Sequence, residues 1–496
     1  MRSARLVAIA LLAASLGACT ATGKHRPTGS APSTTPAGVT TTTRPAPATT
    51  TTTTNVPGPS TTAHDVADRT FPHLGDPRID VASEAVTLRA DLGRADISGH
   101  VTIVLRPVGD APLAAFTLDL HGPKVGRATV GGRPARVTAT AAEITIEPAR
   151  PLPPHRPATV VIDYAGTPNP TMDPVLGVPI GWQSDDHGGW FTISEPNGTS
   201  TWVPVSDHPS DKAVWSINLD TPAGATGVSN GRLISHATAH GRTTWVWRER
   251  EPMASYLVLV AVGHYDLVQR PGPVGTQVLF AFPPDMPAGQ RQAYDALDGI
   301  MTYYGATFGG PVDDDAGAIV VDKPIFLALE SQTRPLFGTD AISGGIVDAL
   351  AHELGHQWFG DAVTLADWPD LWLNEGFATY TDWLYRDHLG KERIDDIAAA
   401  TAARFANVSL TVRDPVAAGR FDMVVYERGA LTLHALRKTV GDAAFFEILR
   451  TWIRRYDGRS ATSDDFVRLS SQIAGRDLTA FFSAWLDHVP QPPLPR

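Results

Sequence analysis

Cysteine is nearly absent from this sequence: its 496 residues include only one, Cys19. A chain with a single cysteine forms no internal disulfide, so its folded part must be held together by a buried apolar core. Basic residues are also outnumbered, since 41 lysines and arginines stand against 52 aspartates and glutamates and give a formal net charge of −11. This balance argues against nucleic-acid binding, which favours basic patches.

The apolar stretch at residues 6–18 is too short to span a bilayer comfortably. It follows Arg2 and Arg5 and ends in Leu16-Gly17-Ala18-Cys19. A basic start, an apolar centre and small residues before a cysteine are typical of a bacterial lipoprotein signal. We therefore expect residues 1–18 to be a signal peptide and Cys19 to carry acyl chains that anchor the protein on the extracytoplasmic face of the cell membrane. An ordinary secretory signal with an incidental cysteine is the alternative.

Apolar and aromatic residues are plentiful: 43% of the chain is hydrophobic and 12 residues are tryptophan, as expected of a globular protein with a large core. The length allows two or three domains. Residues 19–66 differ, because they consist largely of Thr, Pro, Ala and Gly. Such a composition buries too little apolar surface to fold, and it predicts a disordered tether.

Residues 67–268 are predicted to form a sandwich-like domain of antiparallel β-strands. Short runs rich in β-branched residues indicate strands at 101–105, 116–120, 143–146 and 159–164. Gly131-Gly132 fits a hairpin turn between two of them. None of these strands contains a catalytic constellation.

From Asp266 onward the pattern becomes helical, and residues 269–490 are predicted to form a second domain. Helices are predicted at 290–308, 346–359, 427–439 and 443–455. Ser463 is expected to cap a further helix. One short strand is expected in this half, at 325–329.

The sequence HELGH, from His352 to His356, is the most informative stretch of the chain. Residues four apart lie on the same face of a helix, so the two histidines can bind one metal ion. Glu353, beside the first histidine, stands where zinc peptidases have their general base. Two stray histidines on a solvated helix are the alternative for this motif taken alone.

A third ligand is predicted at Glu375, in the apolar run 371–378. Eighteen residues separate His356 from Glu375, which is room for the first helix to end, a loop to follow and a second helix to present the carboxylate. A buried carboxylate needs a partner, and a metal ion is a natural one. Together with His352, these residues leave the fourth tetrahedral position open for water, the catalytic arrangement of zinc. We therefore predict one Zn²⁺ per chain.

These motifs resemble those of the aminopeptidase N-like zinc metallopeptidases, a gluzincin family. The resemblance lies in HELGHQWFGDAVT, which starts at His352, and in DLWLNEGFATY, which contains Glu375. The block PVSDHPSD that starts at Pro204 and the segment YERG that starts at Tyr426 are also similar to family blocks, the latter with Arg428 in place of lysine.

The resemblance implies an N-terminal antiparallel β domain of the saddle type, followed by a thermolysin-like α+β catalytic domain, over about residues 70–490. Many members add a large helical C-terminal domain. This chain, which ends at Arg496, is expected to be a lipoprotein member without that domain.

The resemblance also implies roles for three further residues. The hydroxyl of Tyr426 would help to stabilise the oxyanion of the tetrahedral intermediate. Glu330 and Glu195 would bind the α-amine of a peptide, although the Gly and Asn that flank the glutamate in the family's Gly-Ala-Met-Glu-Asn motif are replaced around Glu330. A buried core tyrosine and a solvated loop carboxylate are the alternatives for Tyr426 and Glu195.

The sequence therefore predicts a zinc-dependent hydrolase of peptide bonds, most simply an aminopeptidase that removes N-terminal residues from peptides outside the membrane. A zinc endopeptidase or a dipeptide-releasing peptidase is an alternative, because the amine-binding motif is degenerate. A non-catalytic surface binding protein that keeps the scaffold is the alternative from another class, and it predicts no loss of rate when Glu353 is changed to Gln.

Overall fold

The computed structural model describes residue 68 and residues 70–310, 312–325, 328–341, 345–415 and 420–495. The predicted signal peptide, Cys19 and the predicted tether lie outside these ranges. Within them, no helix combines the length and the apolar character needed to cross a membrane.

The first half of the described chain is β structure. Its strands are β1 (Ile79–Asp91), β2 (Arg94–Pro107), β3 (Phe116–Asp119), β4 (Lys124–Val130), β5 (Arg133–Pro134), β6 (Arg136–Ala139), β7 (Glu143–Glu147), β8 (Ala158–Gly166), β9 (Thr171–Met172), β10 (Pro179–Ser184), β11 (Trp190–Ile193), β12 (Val214–Pro222), β13 (Thr226–Ser229), β14 (Arg232–Ala239), β15 (Arg242–Arg248) and β16 (Val260–Gly263).

These strands form an eight-stranded sheet in the order β14-β15-β12-β1-β2-β8-β4-β5, a five-stranded sheet in the order β13-β16-β11-β10-β9, and a small sheet β3-β7-β6. Neighbouring strands are antiparallel except β1 and β12, which run parallel. The predicted N-terminal β domain is therefore confirmed.

The alternation of buried and exposed side chains explains how the large sheet packs on the core. In β1, Val86, Leu88 and Ala90 are buried and the residues between them are exposed, so one face of the strand packs on the core. The four predicted strands are confirmed as parts of β2, β3, β7 and β8. Gly131 and Gly132 form a turn with φ of +56° and +73°, but the turn joins β4 to β5 rather than two of the predicted strands.

The second half contains both helices and strands. Its strands are β17 (Asp266–Pro271), β18 (Gln277–Phe282), β19 (Asp315–Val321), β20 (Ala328–Leu329), β21 (Leu336–Gly338), β22 (Val363–Leu365) and β23 (Arg459–Ala461). Its helices are α1 (Ala288–Ala293), α2 (Ala296–Tyr304), α3 (Ile346–His356), α4 (Trp372–His388), α5 (Ile394–Phe405), α6 (Met423–Val440), α7 (Asp442–Tyr456), α8 (Ser463–Ala474) and α9 (Thr479–Leu486).

The strand predicted at 325–329 corresponds to β20, and the other strands of this half were not predicted. A five-stranded sheet in the order β17-β18-β19-β21-β20 lies here, and β18 pairs parallel to β19. Both strands are buried at every position after the first, so they read as continuous apolar runs without the alternation that identifies a strand covered on one face. The predicted division between residues 268 and 269 falls inside β17, which pairs with β18.

The helix predictions are mostly confirmed, with two corrections. The predicted helix at 290–308 is interrupted between α1 and α2, and its last part, Gly305–Gly309, is a π turn. Ser463 is the first residue of α8 and not its cap. The cap is Thr462, which forms a reciprocal capping box with Asp465.

Candidate active site

The predicted metal ligands meet at the junction of two helices. α3 carries His352 and His356, and the first turn of α4 carries Glu375. Glu375 Oε2 lies 3.3 Å from His352 Nε2 and 3.5 Å from His356 Nε2, and the two ring nitrogens lie 3.2 Å apart. All three side chains are buried. Their lone pairs therefore converge on one point that is shielded from bulk water.

The spacing of these three atoms fits zinc. A tetrahedral ion with bonds of about 2.0–2.1 Å holds its ligand atoms about 3.3–3.4 Å apart. The separations of 3.2, 3.3 and 3.5 Å are close to this value. Two imidazoles and one carboxylate are also the donor set of catalytic zinc sites, in which the fourth position is left for water or substrate.

A backbone carbonyl orients His356. Its Nδ1 lies 3.2 Å from the carbonyl oxygen of Phe359. Because a carbonyl oxygen only accepts, Nδ1 carries the proton and donates, which leaves the lone pair of Nε2 for the metal.

The charges of the ligands stabilise one another. Burial by itself would raise the pKa of Glu375, but the neighbouring imidazoles, above all His356 when it is protonated, outweigh burial and hold this pKa at about 2. Burial would lower the pKa of His356, yet the carboxylates of Glu375 and Glu330 hold it well above its usual value. The site is therefore a buried anionic pocket that favours a positive charge.

Glu353, the predicted general base, borders the metal site. One of its carboxylate oxygens lies within 4.8 Å of donor atoms of His356 and Glu330. Burial raises the pKa of Glu353 well above its ordinary value, and the charge of His356 opposes this effect. A carboxylate with a raised pKa binds a proton more readily than an exposed one, as a general base must.

Tyr426 lies in the first turn of α6. Its ring stacks on that of His352, with the ring centres 6.2 Å apart and the planes at 17°. Asp422 caps the helix by accepting a hydrogen bond of 2.9 Å from the backbone nitrogen of Val424. The cap fixes the turn that holds the tyrosine beside the metal ligands.

The two predicted amine-binding residues come from different halves of the chain. Glu195 follows β11, and Glu330 follows β20. Carboxylate oxygens of Glu195, Glu330 and Glu375 lie within 4.8 Å of one another. Glu195 and Glu330 are 5% and 3% exposed, and one oxygen of each meets no hydrogen-bond partner among the described residues. Burial is the main cause that raises the pKa of both carboxyls.

Gln357, which follows the second metal histidine, was not predicted as a site residue. Its Oε1 accepts a hydrogen bond of 2.7 Å from the backbone nitrogen of Thr333, and its Nε2 donates one of 3.3 Å to the carbonyl oxygen of Glu330. The end of α3 therefore holds the loop that carries Glu330. A polar residue directly after HELGH was the available signal for such a role.

Comparison with known proteins identifies both halves. Residues 81–257 match the family profile of the Peptidase M1 N-terminal domain, and residues 335–485 match that of the Peptidase family M1 domain. The fold is similar to the crystal structure of an M1 zinc metallopeptidase from Deinococcus radiodurans, with a TM-score of 0.81 and 31% identity over 87% of this chain and 98% of the other. A structure of a mutant of that protein bound to a Tyr-Ser-Ala substrate gives a TM-score of 0.79 at 31% identity and covers 87% of this chain and 99% of the other.

Curated relatives are longer and more distant. A leucyl aminopeptidase of Saccharolobus solfataricus is 23% identical over 60% of this chain and 40% of its own length. An aminopeptidase N of Caulobacter vibrioides is 27% identical over 62% of this chain and 39% of its own length. The chain spans less than half the length of these curated relatives. Both family profiles match, and a whole solved structure matches above 30% identity, in agreement with the zinc-binding geometry. The chain therefore belongs to the M1 family of zinc metallopeptidases.

Proposed function

We propose that this chain is a zinc-dependent aminopeptidase that hydrolyses the first peptide bond of peptides outside the membrane. One observation carries the proposal: Glu195 and Glu330 converge beside the metal ligand Glu375, and each keeps a buried oxygen without a partner among the described residues. Buried carboxylates need a cation or a donor. A protonated α-amine supplies both, since it is a positive charge with three hydrogen-bond donors.

The residues divide the chemistry among them. Zinc, when bound, supplies Lewis acidity that acidifies water and polarises a carbonyl oxygen. Glu353 takes a proton from the attacking water on its carboxylate and later delivers the proton to the nitrogen of the leaving amine. Tyr426 donates its hydroxyl hydrogen to the carbonyl oxygen as negative charge develops there.

The amine anchors determine which bond is cut. Glu195 and Glu330 would hold the α-ammonium at a fixed distance from the metal ligands, so that the first peptide bond lies next to Glu353. The names of the relatives support this assignment, since both curated examples are aminopeptidases and the solved mutant holds a tripeptide substrate.

Pairs of peptides that differ only in N-terminal acetylation test the proposal. We expect unblocked tripeptides to lose one residue at a time and acetylated tripeptides to stay intact, with products identified by mass spectrometry. A chelator should abolish the activity and added zinc should restore it. Cleavage of acetylated peptides would identify an endopeptidase instead, and release of dipeptides would identify a dipeptide-releasing enzyme.

We also propose that Cys19 carries a lipid anchor that holds the enzyme at the extracytoplasmic face of the membrane. The supporting features are Arg2 and Arg5, the short apolar stretch at 6–18 and the small residues before the cysteine. Growth with radioactive palmitate should label the wild type and leave Cys19→Ser unlabelled. Labelling of the serine variant, or an unlabelled wild type in the soluble fraction, would overturn the anchor and leave the peptidase proposal untouched.

A further inference from the structure

The loop that follows the second metal histidine packs directly on that ligand. After His356 the chain turns back, and Gly360 takes a φ of +138°. A Cβ on Gly360 would lie 3.2 Å from Nδ1 of His356 and 3.4 Å from Cγ of Asn374. Asn374 is the residue before the third ligand, Glu375. Gly360 therefore packs between the two sides of the metal site.

A tyrosine of the N-terminal domain ties the two sides of the site together. Tyr256 is 3% exposed, and its hydroxyl donates to the carbonyl oxygen of Gly360 at 3.2 Å. The same hydroxyl accepts a hydrogen bond of 2.9 Å from Nδ2 of Asn374. One oxygen atom thus joins the loop after α3 to the first turn of α4.

A lysine of the same domain holds the next two residues of the loop. Nζ of Lys212 donates to the carbonyl oxygen of Asp361 at 2.5 Å and to that of Ala362 at 3.2 Å. The three consecutive carbonyls of residues 360–362 therefore all accept hydrogen bonds from side chains of the N-terminal domain, which lie 104 to 150 positions away in the sequence. The hydrogen bonds of both donors go to the loop and to Asn374, and not to the predicted ligand side chains.

We infer that Tyr256 and Lys212 are positioning residues that strengthen zinc binding. Their hydrogen bonds fix the separation between His356 and Glu375. A ligand set is strong only when its atoms are held at the bonding distances, and loss of groups that orient ligands lowers metal affinity by about 10- to 100-fold. The inference goes beyond the proposed peptidase activity, because it concerns how the ion is held and is independent of the substrate.

The zinc dissociation constant of the full chain tests the inference, measured by competition with a chromophoric chelator. We expect Tyr256→Phe and Lys212→Met each to raise this constant by about tenfold or more, and the double variant to raise it further. Lys212→Arg should restore part of the affinity, since a guanidinium also donates to two carbonyls. Tyr294→Phe is the matched control: it removes an equally buried hydroxyl that meets no partner among the described residues, and zinc affinity should stay at the wild-type value.

A second measurement separates positioning from general stability. The melting temperature of each variant is recorded without zinc and with saturating zinc. Positioning predicts a smaller zinc-induced rise in the variants than in the wild type, whereas a merely structural role lowers both temperatures equally. Zinc affinity within twofold of the wild type in both Tyr256→Phe and Lys212→Met would overturn the inference, even if peptide hydrolysis were fully established.

Discussion

Gly376 of α4 and Gly429 of α6 face each other where the two helices cross: a Cβ on Gly376 would lie 2.8 Å from Cα of Gly429. Cβ atoms do not approach a backbone so closely, so the crossing requires glycine on both helices. The ligand Glu375 directly precedes the first glycine, and Tyr426 lies three residues before the second. This contact therefore sets the distance between the third metal ligand and the hydroxyl proposed to stabilise the oxyanion.

Substitution of Gly429 by alanine should force α4 and α6 apart. We expect Gly429→Ala to lower the free energy of unfolding by about 1–3 kcal/mol, as overpacking of a close contact does. The rate constant kcat should fall more than KM changes, because the Tyr426 hydroxyl moves away from the reacting oxygen. Chemical denaturation and steady-state kinetics with an unblocked peptide measure the two effects.

A glycine in open space provides the control for this substitution. Gly289 lies in α1, and a Cβ built on it meets nothing within 4 Å. Gly289→Ala should therefore raise helix stability by about 0.5–1 kcal/mol and leave the kinetics unchanged. Equal effects of Gly289→Ala and Gly429→Ala would show that the helix crossing has no special role.

Removal of the proposed general base should separate chemistry from metal binding. In Glu353→Gln the side chain keeps its size and loses its ability to take a proton, so kcat should fall by about 10²- to 10⁴-fold. Elemental analysis should still find one zinc per chain, since Glu353 is not among the three predicted ligands. An unchanged rate constant in the zinc-loaded variant would remove Glu353 from the mechanism.

The Tyr426 hydroxyl should act only once negative charge has developed on the carbonyl oxygen. Tyr426→Phe keeps the ring that stacks on His352, and we expect kcat to fall by about 10²- to 10³-fold with KM little changed. Zinc content and melting temperature serve as controls for intact packing. Near-normal turnover would assign the residue to the core alone.

Neutral isosteres of the two amine anchors test how the substrate is held. Loss of one charged partner of a hydrogen bond costs about 1.5–3 kcal/mol, so Glu330→Gln and Glu195→Gln should each reduce kcat/KM for unblocked peptides by about 10- to 100-fold. Glu147→Gln, at the end of β7, where the side chain pairs with Arg136 at the surface, is the control and should have no effect. If only Glu330→Gln reduced the rate, Glu195 would be excluded as an anchor.

The metal site was predictable from the sequence because its key geometry is local. His352 and His356 lie one turn apart on a single helix, so their spacing alone places both rings on one face. The position of Glu375 required only a helix, a loop and a second helix. The family resemblance supplied Tyr426, Glu330 and Glu195, and the structure brings all three beside the ligands.

The residues that hold the site from a distance were not predictable. Tyr256 and Lys212 lie more than 100 positions from the carbonyls they contact, and nothing in the surrounding sequence indicates that pairing. The strands β18 and β19 were not predicted for a different reason. Fully buried parallel strands such as β18 and β19 lack polar alternation, so their apolar runs do not distinguish a strand from a buried helix.

Asp382 should make the stability of the protein depend on pH. It lies on α4, is 6% exposed, and has one carboxylate oxygen without a partner among the described residues. Burial raises the pKa of Asp382 from 3.8 to about 8, although the charge of Arg386, 3.7 Å away, opposes the effect. Between these two values the unfolded chain has released the proton and the folded chain still holds it.

Between pH 3.8 and about 8 the folded state binds more protons than the unfolded state, so the protein becomes less stable as the pH rises. The contribution of Asp382 to stability is therefore fully present below pH 3.8 and is lost as the pH rises through about 8. Asp382→Asn does not titrate, so its free energy of unfolding relative to the wild type should increase by on the order of 1–3 kcal/mol between these two pH values. Urea titrations at several pH values measure this difference, with the exposed Asp285→Asn as the control. A difference that stays constant with pH would show that Asp382 is ionised in the folded protein throughout.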